Sequence, residues 1–195
     1  MYLFFDTETT GLPKRYNAPA SDLDNWPRLV QIAWILFDKK GNEITSSTYI
    51  IKPEGFTIPK EASLIHGITN ARAIKEGVEL IDVLSEFESL VEQADFLIGH
   101  NVDFDEKIMG SELFRIGNMN CFENKSKFCT MRAATNYCAI SSQYGYKWPK
   151  LEELHYKLFE TNFDKAHNAQ VDIQITAKCF WEMKKRGLIN LNNAL

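Results

Sequence analysis

The chain opens on a short run of aromatic and aliphatic residues, Tyr2-Leu3-Phe4-Phe5, that passes directly into Asp6-Thr7-Glu8 and then Thr9-Thr10-Gly11. A run this brief and this apolar, closed by a turn signal, reads as a buried strand. Side chains on a strand alternate faces, so Asp6 and Glu8 point the same way. Two carboxylates side by side at the mouth of a core strand repel each other. They stay ionised at low cost only if a cation sits between them. Hard oxygen ligands on a rigid strand suit Mg²⁺ or Mn²⁺.

The same acidic spacing recurs at Asp22/Asp24, Glu86/Glu88 and Asp103/Asp105. Glu86 and Glu88 belong to the wet face of an amphipathic helix, because the apolar positions between Val78 and Gln93 follow a helical stripe. Asp22 and Asp24 lie in a polar, proline-containing loop and read as solvated. Asp6 and Glu8 differ in context, since a strand too apolar to be exposed delivers them.

The rest of the chain supplies a frame for that strand. Arg28 to Phe37 reads as a second strand, Lys39-Lys40-Gly41-Asn42 as a turn, and Glu43 to Ile51 as a third strand antiparallel to the second. Glu61 to His66 reads as a short helix stopped by Gly67, and Phe96 to Gly99 as a compact strand. Helices are expected from near Asp103 to Arg115, from Thr130 to Ile140, from Leu151 to Phe159 and from near Asn168 to Arg186. Ser126 to Cys129 fits a short strand. A three-strand meander followed by alternating helices and strands predicts an α/β fold: a mixed sheet covered by helices on both faces. A chain of 195 residues fits one domain over 1–195. Its net charge of −4 is not the blanket basicity of most nucleic-acid binders, but bound cations on several carboxylates would reverse the local field. No apolar run is long enough for a membrane span. No signal peptide is legible, and Cys121, Cys129, Cys138 and Cys179 have no C-x-x-C spacing, so a cytoplasmic setting with reduced thiols is expected.

Two further acidic segments stand out. His100-Asn101-Val102-Asp103-Phe104-Asp105 follows a strand and opens a helix, where free backbone N–H groups stabilise negative charge. Asp103, with Glu106 three residues on, reads as a capping box. Asp105 is set in direction by its neighbour Phe104 in the core, and His100 reads as loop packing. His167-Asn168-Ala169-Gln170-Val171-Asp172 begins the last helix. Each residue alone has an ordinary reading as a cap or a dipole-compensating charge. Together, four carboxylates and one histidine at element termini match what two-metal hydrolysis of a phosphodiester requires: two cations roughly 3.5–4 Å apart and a nearby base with a near-neutral pKa.

The ordered set Asp6-x-Glu8-Thr9-Thr10-Gly11, His100-Asn101-x-x-Phe104-Asp105 and His167-x-Ala169-x-x-Asp172, with His66-Gly67-Ile68-Thr69 as a fourth segment, resembles the DEDDh exonucleases. This is the DnaQ-like family that includes the proofreading epsilon subunit of bacterial DNA polymerase III. The resemblance implies a ribonuclease H-like fold with a five-stranded mixed sheet. It also implies 3′→5′ removal of 5′-mononucleotides from DNA or RNA ends with two divalent cations, Mg²⁺ or Mn²⁺. By match, Asp6 would bridge both metals, Glu8 and Asp172 would complete the site of the nucleophilic water, and Asp105 would hold the second metal. His167 would be the general base. Thr9 would meet the terminal sugar, Leu12 and Ile68 would wedge against the last bases, and Asn101 would help to hold the adjacent nucleotide. Ordinary packing is an equal alternative for Leu12 and Ile68.

The loop from Leu12 to Trp26 is longer than in many relatives and is expected to gate substrate or to meet a partner. Lys14, Arg15, Lys147, Lys150 and Lys165 are within sequence reach of phosphates, with plain solubility as the alternative for each. Tyr144, Tyr146 and Trp148 suit base stacking, although Trp148 beside Pro149 equally suits packing of the next helix. The leading expectation is a DNA exonuclease on a 3′ end, single-stranded DNA first, with a polymerase or replication partner possible. The alternatives are an enzyme of RNA ends or short oligoribonucleotides and a domain that binds ends without cutting. Oligomeric state is not legible.

Overall fold

The structure is a computed structural model that describes residues 1–119, 121–122, 124–163 and 168–191. Five strands form the main sheet: β1 (Tyr2–Thr9), β2 (Leu29–Phe37), β3 (Glu43–Ile50), β4 (Phe96–Gly99) and β5 (Ser126–Cys129), in the order β3-β2-β1-β4-β5. The first three pair antiparallel as a meander, while β4 runs parallel to both β1 and β5. This is the five-stranded mixed sheet of the ribonuclease H-like fold, with helices on both faces.

The alternation along β1 assigns the two faces. Leu3 and Phe5 pack with α3 (Leu80–Gln93) and α4 (Val102–Arg115) through Val83, Phe87, Ile108 and Leu113. Tyr2 and Phe4 pack on the opposite face with Ile173, Ala177 and Phe180 of α8 (Ala169–Lys185). Tyr2, Phe4, Phe37, Phe180 and Trp181 pack edge to face or tilted there, a geometry that adds to plain area burial. Asp6 and Glu8 share the parity of Phe4, so they leave the sheet on the α8 side. Thr7 shares the parity of Phe5 and faces α4.

Five shorter helices complete the described chain: α1 (Lys60–His66), α2 (Asn70–Glu76), α5 (Thr130–Ala133), α6 (Thr135–Cys138) and α7 (Leu151–Phe159). A two-stranded ribbon, β6 (Ser141–Ser142) with β7 (Gly145–Tyr146), precedes α7. The α1 helix ends on Gly67 in the left-handed region, φ 75°, where glycine carries no Cβ penalty. The α2 helix and the small ribbon have no counterpart in the reading of the sequence. The single helix expected from Thr130 to Ile140 is two short pieces, α5 and α6. The last helix is capped as its sequence suggests, with Asn168 Oδ1 accepting from the N–H groups of Gln170 and Val171 at 3.1 and 3.3 Å.

The start of α4 departs from the capping box. Its N-cap is Asn101, at φ 87° and ψ 42°, and no side chain caps that terminus. Asp103 lies inside the first turn and pairs with Arg132, while Glu106 pairs with Lys127 at 2.7 Å. The β4–α4 crossing is tight because Gly99 lacks a side chain. A Cβ there would stand 3.2 Å from Val102 Cα and 3.3 Å from the Phe5 carbonyl oxygen.

Candidate active site

Pairing between β1 and β4 stops at Phe4 and Ile98. Beyond that point β1 projects past its parallel neighbour, and the Thr7 N–H is left without a ladder partner on that side. Asp105, one turn into α4 and 3% exposed, fills the gap. Its Oδ1 accepts from the Thr7 N–H at 3.0 Å and from the Thr7 hydroxyl at 2.6 Å. The tip of β1 is thereby tied to α4, and Asp105 is fixed in direction.

On the other face, α8 brings Asp172 to Asp6 and Glu8. One carboxylate oxygen from each of the three lies within 4.8 Å of the others. Gln31 sets that approach. It pairs across the sheet with Glu8, is buried, and accepts from the Ala169 N–H at 3.2 Å, so the first turn of α8 is pinned beside the acidic pair. Asp105 lies outside the 4.8 Å group but within electrostatic range of it.

The electrostatics are those of crowded carboxylates, with Asp6, Glu8 and Asp172 half-buried and Asp105 buried. Burial pushes the Asp6 carboxyl well above its ordinary range, and repulsion from Asp105, Asp172 and Glu8 adds to it. Glu8 is pushed up to about 8 by burial and then by Asp172 and Asp105. Asp105 is pushed up to about 7 by burial, against the two Thr7 donors that favour its ionised form. Such a cluster fits a divalent cation, because oxygen donors on three elements converge and their mutual repulsion is relieved only by positive charge between them.

Of the three described histidines, His100 and His155 have both ring nitrogens engaged. Both ring nitrogens of His100 are engaged, Nδ1 with the Thr130 hydroxyl and Nε2 with the Pro149 carbonyl, each at 2.9 Å. Burial pulls this imidazole down to about 4, so it stays neutral and packs the loop, as its sequence context suggests. His66 Nδ1 accepts from the Ile68 N–H at 3.1 Å, and its buried Nε2 has no hydrogen-bond partner among the described residues. His155 is buried, with Nδ1 bound to the Thr161 carbonyl at 2.8 Å and Nε2 facing Lys178 Nζ at 3.4 Å. His167 and Lys165 lie outside the described residues.

Leu12 is 74% exposed, whereas Ile68 is 1% exposed and packs with Val30, Ile58, Ala62 and Ala73. Of the two expected wedges, only Leu12 offers surface to a base in this structure. The Ile68 side chain takes the packing alternative because α1 and α2 close over it. The Thr9 hydroxyl is occupied in the turn, donating to the Gly11 carbonyl at 2.6 Å. Asn101 sits at the α4 terminus, next to the site.

Several residues that hold the site carried no signal in the sequence. Thr7 and Gln31 are two. A third is Glu112, fully buried, which accepts from Arg28 Nε at 3.0 Å and the Leu29 N–H at 2.9 Å and pairs with Arg115 at 3.1 Å. Arg115 also donates to the carbonyls of Leu23 and Trp26 at 2.8 and 2.7 Å. The Leu12–Trp26 loop is held further by Asn25, which bonds the Arg15 backbone through both side-chain polar atoms, and by Trp26 Nε1 on the Pro19 carbonyl at 2.9 Å. Arg15 pairs with Asp22, and Lys147 with Glu153. No helix among the described residues is long and apolar enough to cross a membrane.

No curated protein matches the sequence. Among solved structures, E. coli exonuclease I in complex with a dA16 oligonucleotide is similar over 96% of this chain and 41% of its own, at 23% identity and a TM-score of 0.74. The zinc-bound form of the E. coli exonuclease I–ssDNA complex matches over 95% and 40%, at 23% identity and TM-score 0.74. A moderately thermophilic exonuclease I from Methylocaldum szegediense matches over 98% and 42%, at 22% identity and TM-score 0.73. These likenesses are likenesses of fold, and the chain spans about two fifths of the length of those proteins. The RNase_T profile, described as Exonuclease, aligns with residues 3–180. With nearly all of the sheet, α3, α4, most of α8 and all four acidic residues inside that match, the chain belongs to the RNase_T family of exonucleases.

Proposed function

We propose that this chain is a DEDDh-type 3′→5′ exonuclease, similar to the DnaQ-like enzymes, that hydrolyses the terminal phosphodiester of single-stranded DNA and releases 5′-mononucleotides. The observation that carries the reading is the convergence of Asp6, Glu8 and Asp172 within 4.8 Å, with Asp105 alongside. Asp6, Glu8, Asp105 and Asp172 would hold two divalent cations, Mg²⁺ or Mn²⁺, which supply Lewis acidity and charge neutralisation at a phosphodiester.

The chain's own residues do the positioning. Thr7 orients Asp105 with two donors, Gln31 seats the first turn of α8, and the rigid β1 presents Asp6 and Glu8 together. His167, five residues before Asp172, is the general base of this reading. Its support is its place in the third motif and the engagement of both ring nitrogens of His100 and His155 in other contacts. Leu12, exposed at the start of the loop beyond Gly11, is the surface for the terminal base. Single-stranded DNA is favoured by the oligonucleotide complexes of the similar exonuclease I structures. The RNase_T family name keeps RNA ends as the second reading. One catalytic domain over 1–195 and a cytoplasmic setting complete the proposal.

Labelled single-stranded DNA, duplex DNA and RNA, each incubated with and without Mg²⁺ or Mn²⁺, test it directly. Stepwise loss of nucleotides from the 3′ end of single-stranded DNA, abolished by EDTA and by Asp6→Ala, is the expected result. Undiminished hydrolysis by Asp6→Ala protein refutes the mechanism, and faster loss from RNA replaces the substrate.

A further inference from the structure

A cavity of about 640 Å³ opens beside the acidic site, a size typical of small-ligand clefts. Its wall includes Asn101, the N-cap of α4, and Phe104 in the first turn of that helix, so it shares that turn with Asp105. Tyr16 enters from the Leu12–Trp26 loop and Trp148 from the segment before α7; Asp103 and Glu106 in the lining are paired with Arg132 and Lys127, and Lys107 adds a further positive charge. Tyr16 is 62% exposed and Trp148 59% exposed. More than half of the Trp148 surface is open at the rim.

These aromatics are presented rigidly. The loop that carries Tyr16 is tied down on either side of it by Asn25, Trp26 and Arg115. Trp148 has the Arg132 guanidinium over its ring at 5.7 Å, and Arg132 is itself tied to Asp103 on α4. Lys107 makes no ion pair among the described residues, so its charge is available. Ring faces plus an unpaired cation suit a nucleobase with its phosphate, because every base has a π-face and every linkage a negative charge. An acidic or plain apolar partner would not need this combination.

We infer that this cleft is a subsite for an upstream nucleotide of a single strand, whose base stacks on Trp148 and Tyr16 while its backbone phosphate meets Lys107. The inference rests on the exonuclease reading for the strand's direction but not for its binding. Contact with the strand away from the scissile linkage gives the Leu12–Trp26 loop a role in holding substrate.

The test compares thymidylate octamers with dimers as substrates of the full chain in Mg²⁺, using Trp148→Ala, Tyr16→Ala and the conservative Trp148→Phe and Tyr16→Phe. For each alanine variant the octamer KM should rise roughly 5- to 100-fold, the worth of stacking one base on an aromatic ring, and the phenylalanine variants should restore most of it. The dimer, too short to reach the cleft, should lose far less. Tyr156→Ala, an exposed tyrosine of α7, is the control. Equal losses for dimer and octamer, or none for either, overturn the inference. A parallel arm reads binding without turnover, by anisotropy of a 5′-labelled thymidylate octamer in EDTA. If the wild type hydrolyses nothing yet binds the octamer more tightly than Trp148→Ala does, the exonuclease reading fails and the subsite stands. If the wild type binds no octamer, or binds it no better than Trp148→Ala, the subsite fails.

Discussion

Replacing Glu8 by Gln should stabilise the metal-free protein in alkaline solution while destroying its activity. Glu8 is pushed up to about 8, from an ordinary value of 4.5, by burial and by Asp172 and Asp105. In the unfolded chain it ionises near its ordinary value. Between those two pH values the native state therefore binds a proton that the unfolded state does not. Stability of the metal-free wild type must then fall as pH rises through that window, with the full loss present above the native pKa. At about 1.36 kcal/mol per pKa unit, a shift from 4.5 to about 8 corresponds to on the order of 4–5 kcal/mol. A buried amide without a dedicated partner returns roughly 1–2 kcal/mol of that, which leaves a gain of about 3 kcal/mol. A domain of this size moves by roughly 2–4 °C per kcal/mol, so the melting temperature of Glu8→Gln in EDTA should exceed that of wild type by about 6–12 °C at pH 9. The two should nearly coincide at pH 5, where Glu8 is protonated in the native wild type. Thermal melts followed by circular dichroism, with EDTA and again with excess Mg²⁺, make the comparison. Mg²⁺ should raise the wild type more than the variant. A wild-type melting temperature flat from pH 5 to pH 9 in EDTA, with a variant no more stable, would refute the picture of crowded carboxylates.

Thr7→Val removes the hydroxyl that donates to Asp105 at 2.6 Å. Asp105 should then hold its proton to higher pH, shifting the rising limb of the pH–rate profile to alkaline values and lowering the rate roughly 10- to 100-fold near neutrality, for a lost charge-assisted hydrogen bond of about 1.5–3 kcal/mol; an unmoved limb would show that Thr7 does not tune the site. Arg115→Ala should cost roughly 1.5–3 kcal/mol in urea unfolding, because fully buried Glu112 loses one of its two ionic partners and keeps Arg28, and should expose the Leu12–Trp26 loop to limited proteolysis; unchanged protease resistance would mean the loop is held by its internal bonds alone. Gly99→Ala places a Cβ 3.2 Å from Val102 and should cost about 1–3 kcal/mol as α4 gives way, with Mg²⁺ affinity falling alongside if Asp105 is carried with it, as isothermal titration would show. His167→Ala should lower kcat by about 10²–10⁴-fold while leaving Mg²⁺ affinity intact; lost affinity with normal turnover at saturating Mg²⁺ would remove it from the role of base.

Local patterns carried most of the architecture. The apolar run before Asp6, the meander, the helical stripe of Val78 to Gln93 and the Asn168 cap each depend on neighbours a few residues away, and such periodicities are visible along a chain. The start of α4 departs from its local pattern for a related reason. Asp103 and Glu106 have the spacing of a capping box, yet Arg132 and Lys127 take those charges in space, and Asn101 turns the chain instead. The α5–α6 break and the β6–β7 ribbon are short and weakly periodic, so nothing local marked them.

The acidic cluster itself divides along the same line. That Asp6 and Glu8 share a face follows from the two-residue period of a strand, and that Asp172 opens a helix follows from its cap. Their meeting within 4.8 Å follows from neither. It depends on the parity of β1 against α8, on Gln31 reaching from the neighbouring strand to the first turn of that helix, and on β4 ending early enough for Asp105 to take the Thr7 donors. Ile68 and Trp148 make the same point in opposite directions. One is an apolar residue that long-range packing closes over, and the other is an aromatic that packing leaves open beside the site. Composition and periodicity tell which residues want burial or a cation, but only the folded chain settles which of them meet, because contact between residues far apart in sequence is a property of topology and register.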